Sequence, residues 1–305
     1  MIKKLKIFFK EEIWSHDLTS KSRRRTFLIR QARIYFLAFK GFFEDRAAVK
    51  AAALTYFTML SIVPIFAIAF AIARNFGFED RLHEVINKNM QGQEEIMNWV
   101  TLMVDNLLKN ARGGILAGVG VVILFWSVIQ VLNNIESSFN DIWQIRKARN
   151  PMRKFSDYLA IMILSPFAIG LSGSFMIKIQ SAANEIELFK PLIVTLIKSV
   201  PYLSIWILFT IVYIVMPNTK VKFKYAVIAG IIAGTVALIF QSLYQNLQIG
   251  VWKFNTLYGS IAMIPLFLIW LQITWLIVLV GAELSFAYQN IENYEFEENA
   301  LNLSH

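Results

Sequence analysis

The chain has 305 residues, of which 56% are hydrophobic and 17% charged, and its formal net charge is +9. A soluble domain carries about 25% charged residues, so this balance excludes an ordinary soluble enzyme, and the apolar content excludes a disordered chain. The complete lack of cysteine excludes disulfides, thiol nucleophiles and cysteine-held metals.

The first 50 residues hold 13 of the 30 lysines and arginines, most densely from Lys21 to Arg25. The apolar run Ile7–Phe9 is bracketed by Lys6 and Lys10 and is too short for a secretory signal. Residues 1–45 are expected to form a basic cytoplasmic arm against anionic lipid headgroups, each cation near the surface contributing about 1 kcal/mol. No nucleic-acid-binding fold surrounds the cluster, so nucleic acid is not an expected partner.

Beyond the arm the charges withdraw into short connections. Six charge-free intervals of 20 to 29 residues run over 51–73, 113–135, 158–177, 199–219, 225–252 and 254–282. A helix rises 1.5 Å per residue, so about 20 apolar residues cross ~30 Å of hydrocarbon. The intervals lack the alternation of barrel strands, and a helix satisfies its own backbone in lipid. The expected fold is all-α, a polytopic membrane helical bundle with six transmembrane helices. These are placed at about 51–73, 114–135, 158–177, 199–217, 226–247 and 259–282, within a membrane domain of residues 46–285. Cations number 21 on the N-terminal side of the spans and 9 on the other. The positive-inside rule then puts both termini in the cytoplasm.

Span one carries Thr55, Thr58 and Ser61 along one stripe, with Tyr56 beside it and Pro64 further on. After it, residues 79–110 are expected to form an amphipathic outer segment, with Ile96, Trp99, Val100, Met103 and Leu107 at helical spacing. Span two shows Ser127, Gln130, Asn133, Asn134 and Ser137 on one face; span five shows Gln241, Tyr244, Gln245 and Gln248. Polar groups facing lipid are costly, so these faces should point into the bundle or toward water. They serve either as hydrogen bonds between helices or as the lining of a substrate path, and both readings stay open. Gly230 and Gly234 in span five, and Gly114 and Gly118 in span two, form GxxxG spacings that suit close helix packing. Pro166 and Pro265 lie at similar depths in spans three and six, as two interrupted helices of an inverted repeat would.

Glu283 closes span six at the cytoplasmic side, where Arg46 and Lys50 open span one. A helix-end ion pair of Glu283 with one of these cations is expected; the alternative is a carboxylate reaching water. The tail, residues 286–305, is acidic through Glu292, Glu295, Glu297 and Glu298.

Catalytic sets are missing. The three histidines, His16, His83 and His305, lie outside the spans and far apart, so no histidine metal cluster is expected. No GxxxxGK[ST], GxSxG or HExxH occurs. Neither enzyme activity, catalytic residue, metal nor cofactor is therefore expected.

Three stretches carry a resemblance. Phe43-Glu44-Asp45 is followed by Ala51-Ala52-Ala53-Leu54-Thr55-Tyr56-Phe57-Thr58-Met59-Leu60-Ser61 and Pro64. Asn134-Ile135 is followed by Asn140-Asp141-Ile142-Trp143. The last span holds Tyr258-Gly259-Ser260-Ile261-Ala262, Trp270 and Gly281-Ala282-Glu283-Leu284. Over roughly residues 35–290 the chain resembles the YihY/BrkB family of membrane proteins. The resemblance implies six helices in a bacterial inner membrane. It brings a virulence-factor label and links to lipid handling in the envelope. It also brings an old ribonuclease label, which the missing nuclease chemistry opposes. The expected function is a transporter or lipid-handling protein of the envelope; a non-transporting, envelope-organising protein is the alternative.

Overall fold

The computed structural model describes residues 23–75, 115–146, 190–253 and 263–303, with a few isolated positions between them. Among the described residues the elements are all helical. They are α1 (Arg23–Glu44), α2 (Ala47–Asn75), α3 (Ile115–Ile142), α4 (Lys190–Val215), α5 (Phe223–Lys253) and α6 (Met263–Leu303). Helices α2 to α6 cover five of the six expected spans. The span at 158–177, with Pro166, lies outside the described residues, as do most of the outer segment and Gly114.

Stretches long and apolar enough to cross a membrane occur in α2 (Ala47–Phe66), α5 (Phe223–Leu247) and α6 (Ile264–Glu292) among the described residues; a shorter apolar stretch, Tyr202–Val215, lies in α4. Large apolar side chains on these helices point outward, among them Leu60, Ile207, Ile211, Ile239, Leu243 and Ile269. In water such a surface would be heavily penalised, whereas hydrocarbon accommodates it.

Helix α6 is the hub. Its 41 residues make a rod about 60 Å long at 1.5 Å per residue. It packs chiefly on α1, α2 and α5, while α4 packs on α5 and α3 on α2. Leu279, Ala282, Ala287 and Ile291 of α6 meet Ile34 and Ala38 of α1, Ala47, Ala51 and Leu54 of α2, and Phe139 and Ile142 of α3 in one buried cluster.

The cluster takes in the second half of the basic N-terminal segment. Residues 23–44 are a helix laid along the C-terminal half of α6, and Arg33 itself is buried. Gln31 accepts a 2.7 Å hydrogen bond from the Tyr288 hydroxyl, and Arg30 pairs with Glu292 at 2.8 Å. The acidic tail is likewise the continuation of α6 as far as Leu303.

Small residues set the α4–α5 approach. A Cβ on Gly230 would meet Thr210 Oγ1 and lie 2.9 Å from the Thr210 nitrogen and 3.1 Å from the Trp206 oxygen. At Gly234 it would lie 2.7 Å from Trp206 Cδ1. The GxxxG pair thus serves packing within the chain, as helix association in lipid favours. Pro64 sits inside α2. Pro265 is the third residue of α6, and the residues before Met263 lie outside the described ones.

Candidate functional site

Four chain segments converge at one end of the bundle, and their local structure follows from short-range chemistry. The α1–α2 junction is two residues long. Asp45 N–H donates to Gly41 O at 2.8 Å, and Arg46 N–H donates to Phe43 O at 3.2 Å. Arg46 turns the chain with φ of 51°, a left-handed conformation disfavoured for a side chain with a Cβ. Its carbonyl then accepts from Val49 and Lys50 as α2 begins.

Helix α3 ends in a Schellman turn. Ile145 N–H donates to Asn140 O at 2.8 Å, Gln144 N–H donates to Asp141 O at 3.0 Å, and Gln144 adopts φ of 55°. The Asn140 side chain is left free to work elsewhere: its Oδ1 accepts from the Asn218 backbone N–H at 2.8 Å. Asn218 lies in the α4–α5 connection, which Gln289 of α6 grips from the other side. Gln289 Oε1 accepts from Lys222 N–H at 2.8 Å, and its Nε2 donates to Lys220 O at 3.1 Å.

Glu283 sits within this frame. Its residue is only 2% exposed, and its Oε1 has no hydrogen-bond partner. The carboxyl fits because Gly41 has no side chain; a Cβ there would lie 2.9 Å from Glu283 Cδ and collide with Oε2. The Asp45 carboxyl comes within hydrogen-bonding reach of it. A cavity of about 50 Å³ opens beside the two acids, and Lys40, Glu44, Gln144 and Phe286 also line it. Burial pushes the Asp45 carboxyl above its ordinary value. The Lys50 ammonium and the contact with Glu283 oppose this, while Asp141 and Glu44 add to it.

The expected helix-end ion pair is built differently. Lys50 Nζ lies 3.3 Å from Asp141 Oδ2, on α3. Arg46 is exposed on its turn. Among the described residues no ion pair joins Glu283 to either cation. The reason is geometric: α3 ends beside Lys50 and offers a carboxylate at less desolvation, since the Asp141 side chain is 55% exposed.

The polar stripes are mostly occupied in joining helices. Thr55 Oγ1 donates to Ala51 O and lies 3.0 Å from Gln272 Oε1 on α6. Thr58 Oγ1 accepts from Trp275 Nε1 at 3.1 Å, and Ser61 Oγ donates to Ser127 O at 3.1 Å. Gln241 Oε1 accepts from Trp270 Nε1 at 2.7 Å, and buried Tyr244 has its ring 6.3 Å from that indole. On α3, Asn134 Nδ2 donates to Gln130 O at 2.7 Å, while Gln130 and Asn133 are half-buried. Tyr56 and Gln245, expected on inward faces, are exposed. Each is one residue away from an inward neighbour, which turns it about 100° around the helix. Helix α3 packs mainly on α2, and α5 on α4 and α6, so the Gln130 and Gln241 faces serve different seams.

Several functional candidates were not singled out from sequence. Asp45, Asn140 and Asp141 stood in the recognised stretches without a role, and Gly41, Gln144 and Gln289 stood outside them. Their signal was topological. The junction before span one, the end of span two, the turn after span four and the end of span six must share one side of a bundle that crosses alternately.

Comparison with known proteins points to a membrane protein. A family model described as virulence factor BrkB matches residues 38–302. A UPF0761 membrane protein of Haemophilus influenzae is 33% identical over 255 residues, covering 82% of this chain and 92% of that protein. A UPF0761 membrane protein of Mannheimia succiniciproducens is 30% identical over 267 residues, covering 86% and 91%. One of Halorhodospira halophila is 28% identical over 251 residues, covering 79% of this chain and 54% of that protein. No solved structure matches the chain.

Proposed function

The chain belongs to the BrkB family of membrane proteins, and from that premise we propose that it is a multi-pass inner-membrane protein that moves or accommodates a lipid-like substrate. Six spans with both termini in the cytoplasm follow from the charge-free intervals and the distribution of cations. The Glu283 junction is then the cytoplasmic end of the bundle. The protein acts without covalent catalysis, and its basic N-terminal segment meets anionic headgroups.

The observation that carries the reading is Glu283. It is a buried carboxyl at the inner end of the last span, beside a cavity, with one oxygen lacking a donor. An ionisable group at such a depth is a functional pointer, because a static scaffold gains nothing from desolvating it. The test is reconstitution into liposomes with a labelled-lipid flip assay. Wild-type vesicles should exceed empty ones, and Glu283→Ala should fall toward the empty baseline. Equal rates for wild type, variant and empty vesicles would remove the lipid version.

A second reading, a non-transporting organiser of the envelope, has one observation in its favour. Thr55, Thr58, Ser61 and Gln241 spend their hydrogen bonds on helix seams, as a packed scaffold requires. A null flip assay with a stable wild-type protein would favour it.

A further inference from the structure

We propose that Asp45 and Glu283 form a proton-binding site, in which the two carboxyls hold one proton between them and tie the α1–α2 junction to α6. This deepens the transport reading by naming a coupling ligand, but it stands on the site's own geometry.

Two carboxyl groups in hydrogen-bonding reach have only acceptor oxygens when both are ionised. The contact between Asp45 and Glu283 is a hydrogen bond only when one of them carries a proton. Like charges at that separation repel, so a pair of this kind gives up its protons in two well-separated steps. The surroundings reinforce this. Glu283 is 2% exposed, its Oε1 finds no donor among the described residues, and Gly41 presents bare backbone to its carboxyl.

The neighbouring charges offset the pair only in part. On α1, Lys40 lies 3.7 Å from Glu44, and both line the cavity. On α2, Lys50 is engaged by Asp141 of α3 at 3.3 Å, and Arg46 points outward from the turn. Buried Glu136 of α3 accepts from Asn140 Nδ2 at 3.4 Å, and buried Arg33 lies two turns before Gly41 on α1. From α4, the Tyr213 hydroxyl lies against the site of Gly281, two residues before Glu283. From the α4–α5 connection, Lys220 and Lys222 are held through their backbones by Gln289. Three acids therefore share one small cavity with one lysine lining it. Among the described residues no set of three or more histidine, aspartate or glutamate side chains is arranged to hold a metal ion; two facing carboxyls that need one hydrogen between them take a proton as their ligand.

Release of the proton leaves two carboxylates facing each other, and the proton passes to water through the cavity mouth beside Lys40 and Glu44. The repulsion separates the Asp45 turn from α6. Phe286, which lines the cavity, carries the change to Trp143, whose ring it meets edge-on at 5.5 Å.

The test uses the full chain in lipid nanodiscs and infrared difference spectroscopy of the protonated-carboxyl carbonyl band as pH is raised. Wild type should lose one such band at a pH above the ordinary carboxyl range. Glu283→Gln should abolish that loss, Glu44→Gln should leave it in place, and Asp45→Asn should move its midpoint to lower pH by removing the opposing charge. Retention of the band in Glu283→Gln, or an unmoved midpoint in Asp45→Asn, overturns the pair. A wild-type midpoint that falls in sodium chloride but not in choline chloride overturns it in favour of a metal cation. Because the readout needs no lipid movement, a proton site without flipping, or flipping without a proton site, separates failure of one proposal from failure of the other.

Discussion

Gly230→Ala puts the α4–α5 seam to a quantitative test. In an isolated helix the change would stabilise by about 1 kcal/mol, because alanine is the better helix former. Here the new methyl would sit 2.9 Å from the Thr210 nitrogen and 3.1 Å from the Trp206 oxygen, besides colliding with Thr210 Oγ1. Two of these three neighbours are backbone atoms, so relief requires the helices to separate rather than a side chain to rotate. Overpacking of this kind costs about 1–3 kcal/mol, and backbone contacts place it at the upper end. Separation would also stretch the 3.2 Å bond from Trp206 Nε1 to Thr235 Oγ1. The net expectation is a loss of about 1–2 kcal/mol, or a fall in Tm of about 2–6 °C by the usual scaling. The assay is thermal unfolding of purified protein in one fixed detergent, followed by tryptophan emission. Thr210→Ala added to Gly230→Ala removes the hydroxyl and the methyl but leaves both backbone contacts in place, so it should recover less than half of the loss. A Gly230→Ala midpoint at or above wild type would refute the close approach.

Three further outcomes follow from the polar end and the seams. Burial raises the Asp45 carboxyl, so its contribution to stability is fully present below the ordinary carboxyl range and is lost as pH rises through the raised value; Asp45→Asn should flatten the dependence of Tm on pH in that window. Asn140→Ala removes the acceptor of the Asn218 N–H, which should destabilise by about 1–2 kcal/mol and speed limited proteolysis at residues 217–222. Gln241→Leu leaves the Trp270 indole N–H without its 2.7 Å partner; the expected loss is about 0.6–1.7 kcal/mol by unfolding, with Trp270 emission shifted.

The three helices long and apolar enough to cross a membrane among the described residues were legible because charge spacing alone marks them. Helix α1 was not, because Arg23 to Arg25, Arg30 and Arg33 dominate its hydropathy. Its signal was the spacing of Ile34, Ala38 and Gly41, which only the C-terminal half of α6 gives a meaning. The inward stripe of Thr55, Thr58 and Ser61 could be read from period, since helix geometry fixes which residues share a face. Their partners Gln272, Trp275 and Ser127 could not, since they lie 66 to 217 positions away. Glu283 was singled out by its position after an apolar run, but its surroundings depend on competition in three dimensions. Asp141 takes Lys50, and Gly41 makes the room; no local pattern ranks Asp141 against Glu283 as the lysine's partner.

The length of α6 has a mechanical consequence. One unbroken helix joins the Trp270–Gln241 bond near its first residues to the Tyr288–Gln31 and Glu292–Arg30 bonds much further along it. A rod about 60 Å long that rocks by about 5° about one end sweeps the other through about 5 Å. The carboxyl pair sits between these attachments, where a small displacement of α1 is geared up along both arms. Whatever crosses or leans on the bundle at one face is thereby felt as torque at the other.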